Sequence, residues 1–198
     1  MKSQALALSY FTVAYNVLEG VVSILFANLA GSSALLGFGV DSFVESLSGL
    51  VMVWRFNVTG LTSEQIEQRE QAAIRFVGIA AVVLAAYVVF ESASQLWLAE
   101  KPDTSLVGIA IAFVSLLVMP VLFVMKRRAA KEVKSRSLLT DAAQTLGCIL
   151  LSVALLIGLG LNFLVGWWQA DPIAGLVIAV FLAREGYLAL TERELCTR

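Results

Sequence analysis

Long apolar stretches alternate with short polar ones along the whole chain. A bilayer core of ~30 Å needs about 20 mostly apolar residues per helix. Six stretches of that kind lie between charged clusters and turn residues, at 5–29, 34–56, 72–98, 104–125, 137–163 and 171–190. The pattern predicts an all-α polytopic membrane protein with six transmembrane helices, organised as one domain over 1–198. Asn28, Gly31, Ser32 and Ser33 mark the first turn, and Lys101-Pro102-Asp103 a later one. Thr62 and Gln65 have the spacing of a capping box and are expected to open the third span. Pro120 is expected to kink the fourth span near its end. Asp171-Pro172 reads as an N-cap and first-turn proline for the sixth. No fixed-period repeat is visible, and the first apolar stretch is too long for the core of a cleavable signal peptide.

Charge supplies a direction. Of the 14 lysines and arginines, 13 fall on one side of the predicted spans, including the cluster from Lys126 to Arg136, and Lys101 alone falls opposite. The positive-inside rule then places both termini and the second-third and fourth-fifth loops in the cytoplasm. Trp54, Trp97, Trp167 and Trp168 fall at span ends, where an interfacial aromatic belt is expected. With so few residues after the sixth span here, no independent extramembrane domain is expected to follow it.

Composition agrees. Hydrophobic residues make up 59% of the chain and charged residues 15%, against roughly 45–50% and about 25% in soluble domains. A soluble single-domain enzyme is excluded, and lipid is expected to cover what cannot fold inward. A net charge of −1 offers no basic face, so nucleic acid is not an expected partner. With no histidine, imidazole ligands, histidine proton shuttles and Ser-His or Cys-His nucleophiles are absent. Cys148, in an apolar run, and Cys196, in the charged tail, fit no C-x-x-C zinc pattern.

Three acids stand well inside the spans: Glu19, Asp41 and Glu45. Each costs at least ~2.5–3.5 kcal/mol at the bilayer centre, so each asks for a partner or a purpose. Asp41 and Glu45 lie one helical turn apart on one face. Two carboxylates so close in low dielectric cannot both stay ionised without a cation, which makes them holders of a divalent metal or a proton. Counting depth at ~1.5 Å per residue through antiparallel spans, Glu19 and Cys148 come level with Asp41, and Asn16 and Gln144 with Glu45. Thiolate with carboxylate suits Zn(II), whereas oxygen alone suits Mg(II), Ca(II) or Mn(II). Each residue also has a structural reading. The acids could be protonated carboxyls bonded between helices, Cys148 a small buried apolar residue, and Gln144 interhelical glue. Asp141, near the cytoplasmic end, is expected to be solvated or to serve the access path. Gly37, Ser42, Ser46 and Gly49 are expected to let helices approach rather than to bind anything.

Three segments carry a family resemblance: GFGVDSFVESLSGLVMVWRF from Gly37, TDAAQTLGC from Thr140 and GWWQADPIAGL from Gly166. They resemble the membrane half of the cation diffusion facilitator (cation efflux) family. That resemblance implies six helices exporting zinc and related divalent metals in exchange for protons, usually as a homodimer. The family's second helix carries D-x-x-x-D, and Asp41 and Glu45 fall on it. Its fifth helix carries H-x-x-x-D after a further aspartate. With Asp141 on that aspartate, Gln144 takes the histidine position and Cys148 the second acid. An amide thus replaces the imidazole and a thiol replaces an anion. The chain looks like the short subgroup without a C-terminal cytoplasmic metal-binding domain, whose dimer contacts would rest on membrane helices.

The expectation is an integral membrane efflux transporter for a divalent cation, Zn(II) first, working by alternating access with proton antiport. Transport implies no covalent chemistry, so the chain is expected to be neither an enzyme nor the holder of a cofactor. If the host is bacterial, it would reside in the inner membrane. Asp41, Glu45 and Cys148 are the expected ligands, with Glu19, Asn16 and Gln144 as further ligands or supporting partners. Two other readings stay open: a non-transporting scaffold or accessory subunit of the same fold, and a proton-coupled carrier of organic cations.

Overall fold

In the computed structural model, which describes residues 2–57, 60, 62–133 and 136–191, the apolar pattern resolves into six helices: α1 (Lys2–Ala30), α2 (Ser33–Asn57), α3 (Ser63–Leu98), α4 (Leu106–Val133), α5 (Arg136–Val165) and α6 (Ala170–Thr191). Each is long and apolar enough to cross a membrane. No strand occurs among the described residues.

Two helices run further than their apolar stretches. The Thr62–Gln65 capping box forms as expected. It opens α3 at Ser63 instead of near Ala72, because the polar run after it, rich in glutamate and glutamine, is itself helix-forming. Similarly, α4 passes through Pro120 and continues across the basic cluster to Val133, where a loop was expected. Lysine, arginine, alanine and glutamate all favour a helix. The buried positions Ser115, Met119, Leu122, Lys126 and Ala130 then follow one another at spacings of three or four, so a single face of α4 turns inward over its whole length.

α2 is the central helix. Of its spanning stretch 72% is buried, against 28–39% in the others. α1, α2, α5 and α4 pack in that order into a closed ring, and the α3–α6 pair lies against the α2–α5 side. Backbones touch where glycines face each other. A Cβ on Gly20 would sit 3.0 Å from the Gly39 carbonyl, and one on Gly186 would sit 2.8 Å from that of Gly78. Dispersion and close approach, not polar contacts, hold such pairs together in lipid. Phe38, Leu35, Leu151, Leu155, Leu159, Ile178 and Leu182 fill the space between α2, α5 and α6.

The end of the bundle that carries the short α1–α2 turn is clasped by hydrogen bonds. Gly31, at φ 64°, makes the left-handed turn. Asp171 lies inside the first turn of α6 and serves a different helix from the one expected. Its carboxylate accepts from Ser32 Oγ at 2.6 Å and from the Ala34 amide at 3.4 Å, capping α2. Ser32 Oγ in turn accepts from the Leu35 amide at 3.0 Å. The turn around Pro102 is pinned on both sides, by Asp103 N–H to the Ala30 carbonyl at 2.7 Å and by Asn162 Nδ2 to the Pro102 carbonyl at 3.1 Å.

Candidate metal centre

Inside the ring, α2 presents Asp41 and Glu45 one turn apart, both buried. α5 approaches antiparallel and brings Cys148 against Asp41, with Sγ 3.1 Å from Oδ2. The depth argument thus meets the structure at this pair. One turn along, however, Thr145 reaches Glu45, where Gln144 was expected. Its hydroxyl donates to Glu45 Oε1 at 2.6 Å. Gln144 is only half-buried, and its Oε1 has no hydrogen-bond partner. Positions three and four before Cys148 share a helical face, and the rotation of α5 selects the nearer.

The largest surprise is Lys126, which is fully buried. Its Nζ lies 3.4 Å from Glu45 Oε1, 3.0 Å from Asp141 Oδ2 and 2.9 Å from Thr145 Oγ1. The charge pattern places Lys126 in a cytoplasmic loop, and Asp141 in solvent or on the access path; in the structure both side chains are buried, on α4 and α5, so Asp141 is not solvated. The ammonium donates to Glu45 Oε1 and Thr145 Oγ1 and forms an ion pair with Asp141, so it is held by oxygens from α2 and α5. No spacing in the sequence marks it, because α4 is apolar on nearly every side before it; the structure puts Lys126 on the buried face of Met119 and Leu122, whereas Arg127 and Arg128 are exposed.

Glu19 occupies a neighbouring station. It accepts from Tyr15 OH at 2.9 Å and from Ser42 Oγ at 3.0 Å. Ser42, expected only to let helices approach, is therefore also a donor to a buried acid. Asn16, one turn before on α1, is fully buried, and neither atom of its amide has a partner. Glu45 Oε2 and Asp141 Oδ1 are likewise without hydrogen bonds.

The six residues expected at the site thus separate into small networks: Asp41 with Cys148, Glu45 with Thr145, Lys126 and Asp141, and Glu19 with Tyr15 and Ser42. Asn16 and Gln144 join none of these by a recorded bond. Among the described residues, no three of the Asp, Glu and Cys side chains are gathered closely enough to hold a metal ion. Yet the charges do not balance. Glu19, Asp41, Glu45 and Asp141 are all buried within the ring, and Lys126 is the only basic side chain buried among the described residues. Uncompensated carboxylates in low dielectric are strongly unfavourable. The arrangement therefore requires further positive charge, whether protons or a metal cation.

Comparison with known proteins gives this arrangement a setting. Transmembrane protein 163 of Xenopus laevis is 20% identical over 194 residues, covering 96% of this chain and 68% of that protein. An uncharacterized transporter of Methanocaldococcus jannaschii is 20% identical over 177 residues, covering 87% of this chain and 62% of its own. The chain thus spans roughly two thirds of the length of these relatives. The family model described as the cation efflux transmembrane domain matches residues 9–193, nearly the whole ring and its flanking pair, and the chain belongs to the cation efflux family.

Proposed function

We propose that this cation transporter exports a divalent transition metal, Zn(II) first, by alternating access in exchange for protons. Asp41, Glu45 and Cys148 bind the cargo, while Glu19, Asn16 and Gln144 line or support the site. The observation that carries this reading is the surplus of buried carboxylates beside a buried thiol, with Cys148 Sγ 3.1 Å from Asp41 and Glu45 keeping a free oxygen. A soft sulfur next to hard oxygens favours Zn(II) over metals that take oxygen alone. Cargo takes the place of the thiol proton on Asp41 and of the donors on Glu45, and protons return when it leaves. Both termini face the cytoplasm, as the basic residues favour. The transporter works as a homodimer joined through its membrane helices, in the inner membrane if its host is bacterial.

The test is metal-dependent protection of the purified protein against heating, joined to flux in proteoliposomes. A ligand that binds only the folded state raises apparent stability by about 2.7 kcal/mol at a hundred times its dissociation constant. Wild type is expected to gain that protection from Zn(II). The Asp41→Asn, Glu45→Gln double variant is expected to lose both protection and flux while remaining folded. Cys148→Ala is expected to weaken Zn(II) and Cd(II) about tenfold and Mn(II) far less, whereas Cys196, outside the described residues, is dispensable. Full Zn(II) export by the double variant sinks the proposal. Equal loss for every metal in Cys148→Ala makes that cysteine a packing residue. A wild type that is never stabilised by metals leaves the scaffold and organic-cation readings.

A further inference from the structure

Lys126 has no place in a cargo site as such, since a fixed positive charge repels a metal ion. Its position is nevertheless built from three helices. α4 carries it on its buried stripe, α5 supplies Thr145 and Asp141, and α2 supplies Glu45. The three contacts are not equivalent. Asp141 holds the ammonium at 3.0 Å and Glu45 at 3.4 Å, so releasing Glu45 leaves the lysine with its shorter ion pair and with Thr145. Asp141 Oδ1 and Glu45 Oε2 are both spare, which leaves room for each acid to change partners without stranding another group. A lysine suits this exchange better than an arginine would, because its compact charge sits on a flexible four-carbon stem.

We propose that Lys126 is a tethered counter-cation of the cargo site: it neutralises Glu45 when cargo is absent and withdraws onto Asp141 when cargo binds. This rests on the reading that Asp41 and Glu45 hold the metal, and it adds a residue that sets the affinity. Cargo competes with a cation already present, so binding is weaker than the carboxylates alone would give. Unloading is correspondingly faster, because the departing metal is replaced from within the protein. Asp141 acts in the opposite sense, since it draws the ammonium away from Glu45. Lys126 and Asp141 are thus positioning residues with opposed effects on one equilibrium.

That opposition supplies the test. The purified full chain is titrated with Zn(II) alone by calorimetry, as wild type, Lys126→Met, Asp141→Asn and Asp41→Asn. Lys126→Met is expected to bind at least about tenfold tighter, and Asp141→Asn at least about tenfold weaker, from the Coulomb term of one buried unit charge a few ångströms away. Release of Zn(II) to a chelator is expected to slow in Lys126→Met. A purely structural pair would instead lower affinity in both variants or leave it unmoved. Should Lys126→Met fail to fold, the Lys126→Met, Asp141→Asn double variant removes the pair together and is expected to bind tighter than wild type. Binding that is lost in Asp41→Asn but no tighter without Lys126 overturns this inference and leaves the cargo site standing. A wild type that binds no Zn(II) overturns the cargo reading and the inference with it.

Discussion

Asp171 and Glu45 are both buried carboxylates on neighbouring helices, and they are held in opposite ways. Both oxygens of Asp171 accept from fixed groups at the start of α2, Ser32 Oγ and the Ala34 amide. Glu45 is held through one oxygen only, by a threonine hydroxyl and the tip of a long lysine, and its other oxygen is free. An anion satisfied by a helix start and its capping serine has nothing to exchange and serves as a clasp. An anion satisfied by a movable cation can trade one positive partner for another. The same residue chemistry thus yields a structural joint at one end of α2 and, in the proposed reading, an exchangeable site further along it.

The contrast breaks first under Asp171→Ala. Removing the carboxylate strands two buried donors and opens the joint between α6 and α2, so unfolding in detergent is expected to lose about 2–4 kcal/mol. Zn(II) affinity of the folded fraction should stay within about threefold, because distant sites without shared partners act nearly independently. Thermal unfolding and Zn(II) titration on the same preparation check both halves. A large loss of affinity at unchanged stability would merge the two ends into one working unit.

Acidification sharpens the comparison next. If Asp41 and Glu45 hold the metal as proposed, metal and protons compete for the same carboxylates, so affinity is expected to fall as pH falls and metal binding to release protons. Each proton displaced gives a slope approaching tenfold in affinity per pH unit. With no histidine in the chain, no imidazole step near ~6.5 is superimposed. Titrations in buffers of different ionisation enthalpy count the protons released. A pH-independent affinity excludes carboxylate-coupled antiport and points to a uniporter or a non-transporting binder.

Most of the fold was legible because lipid imposes a length and a polarity on every span. The errors cluster where that rule is silent. Hydropathy ends α4 near Met125, yet helix propensity carries it on through KRRAAKEV to Val133. With it, Lys126 passes from the loop to the interior. The inward face of Met119, Leu122 and Ala130 is set by packing between helices and cannot be read from a stretch that is apolar on nearly every side. At the site, counting depth brought Cys148 to Asp41 because depth depends only on rise per residue. It points to Gln144 rather than Thr145 because rotation about the helix axis, which depth does not register, is set by packing against α4, α6 and α2. Asp171 reads from the sequence as a cap of its own helix, since nothing local shows that its carboxylate faces the start of α2 from a position 139 residues after Ser32.

The smallest effect is expected at Asn16, and it separates resting contacts from contacts made with cargo. Thr12 and Asn16 lie one turn apart on α1, both fully buried, and neither side chain has a hydrogen-bond partner. A buried amide without partners gives no stability to the state that contains it, and an apolar side chain of similar size is often neutral or favourable there. Asn16→Leu is therefore expected to leave unfolding within about 1 kcal/mol of wild type, or slightly raised. Its Zn(II) affinity is expected to fall by a few fold, about 1 kcal/mol, as the amide oxygen is lost to the cargo or to its bound water. Unfolding and Zn(II) titration read the two quantities separately. Lower stability with unchanged affinity would make Asn16 a structural residue and narrow the site to Asp41, Glu45 and Cys148. Unchanged stability with weaker binding would assign its idle amide to transport, and would extend the exchangeable region from α2 across to α1.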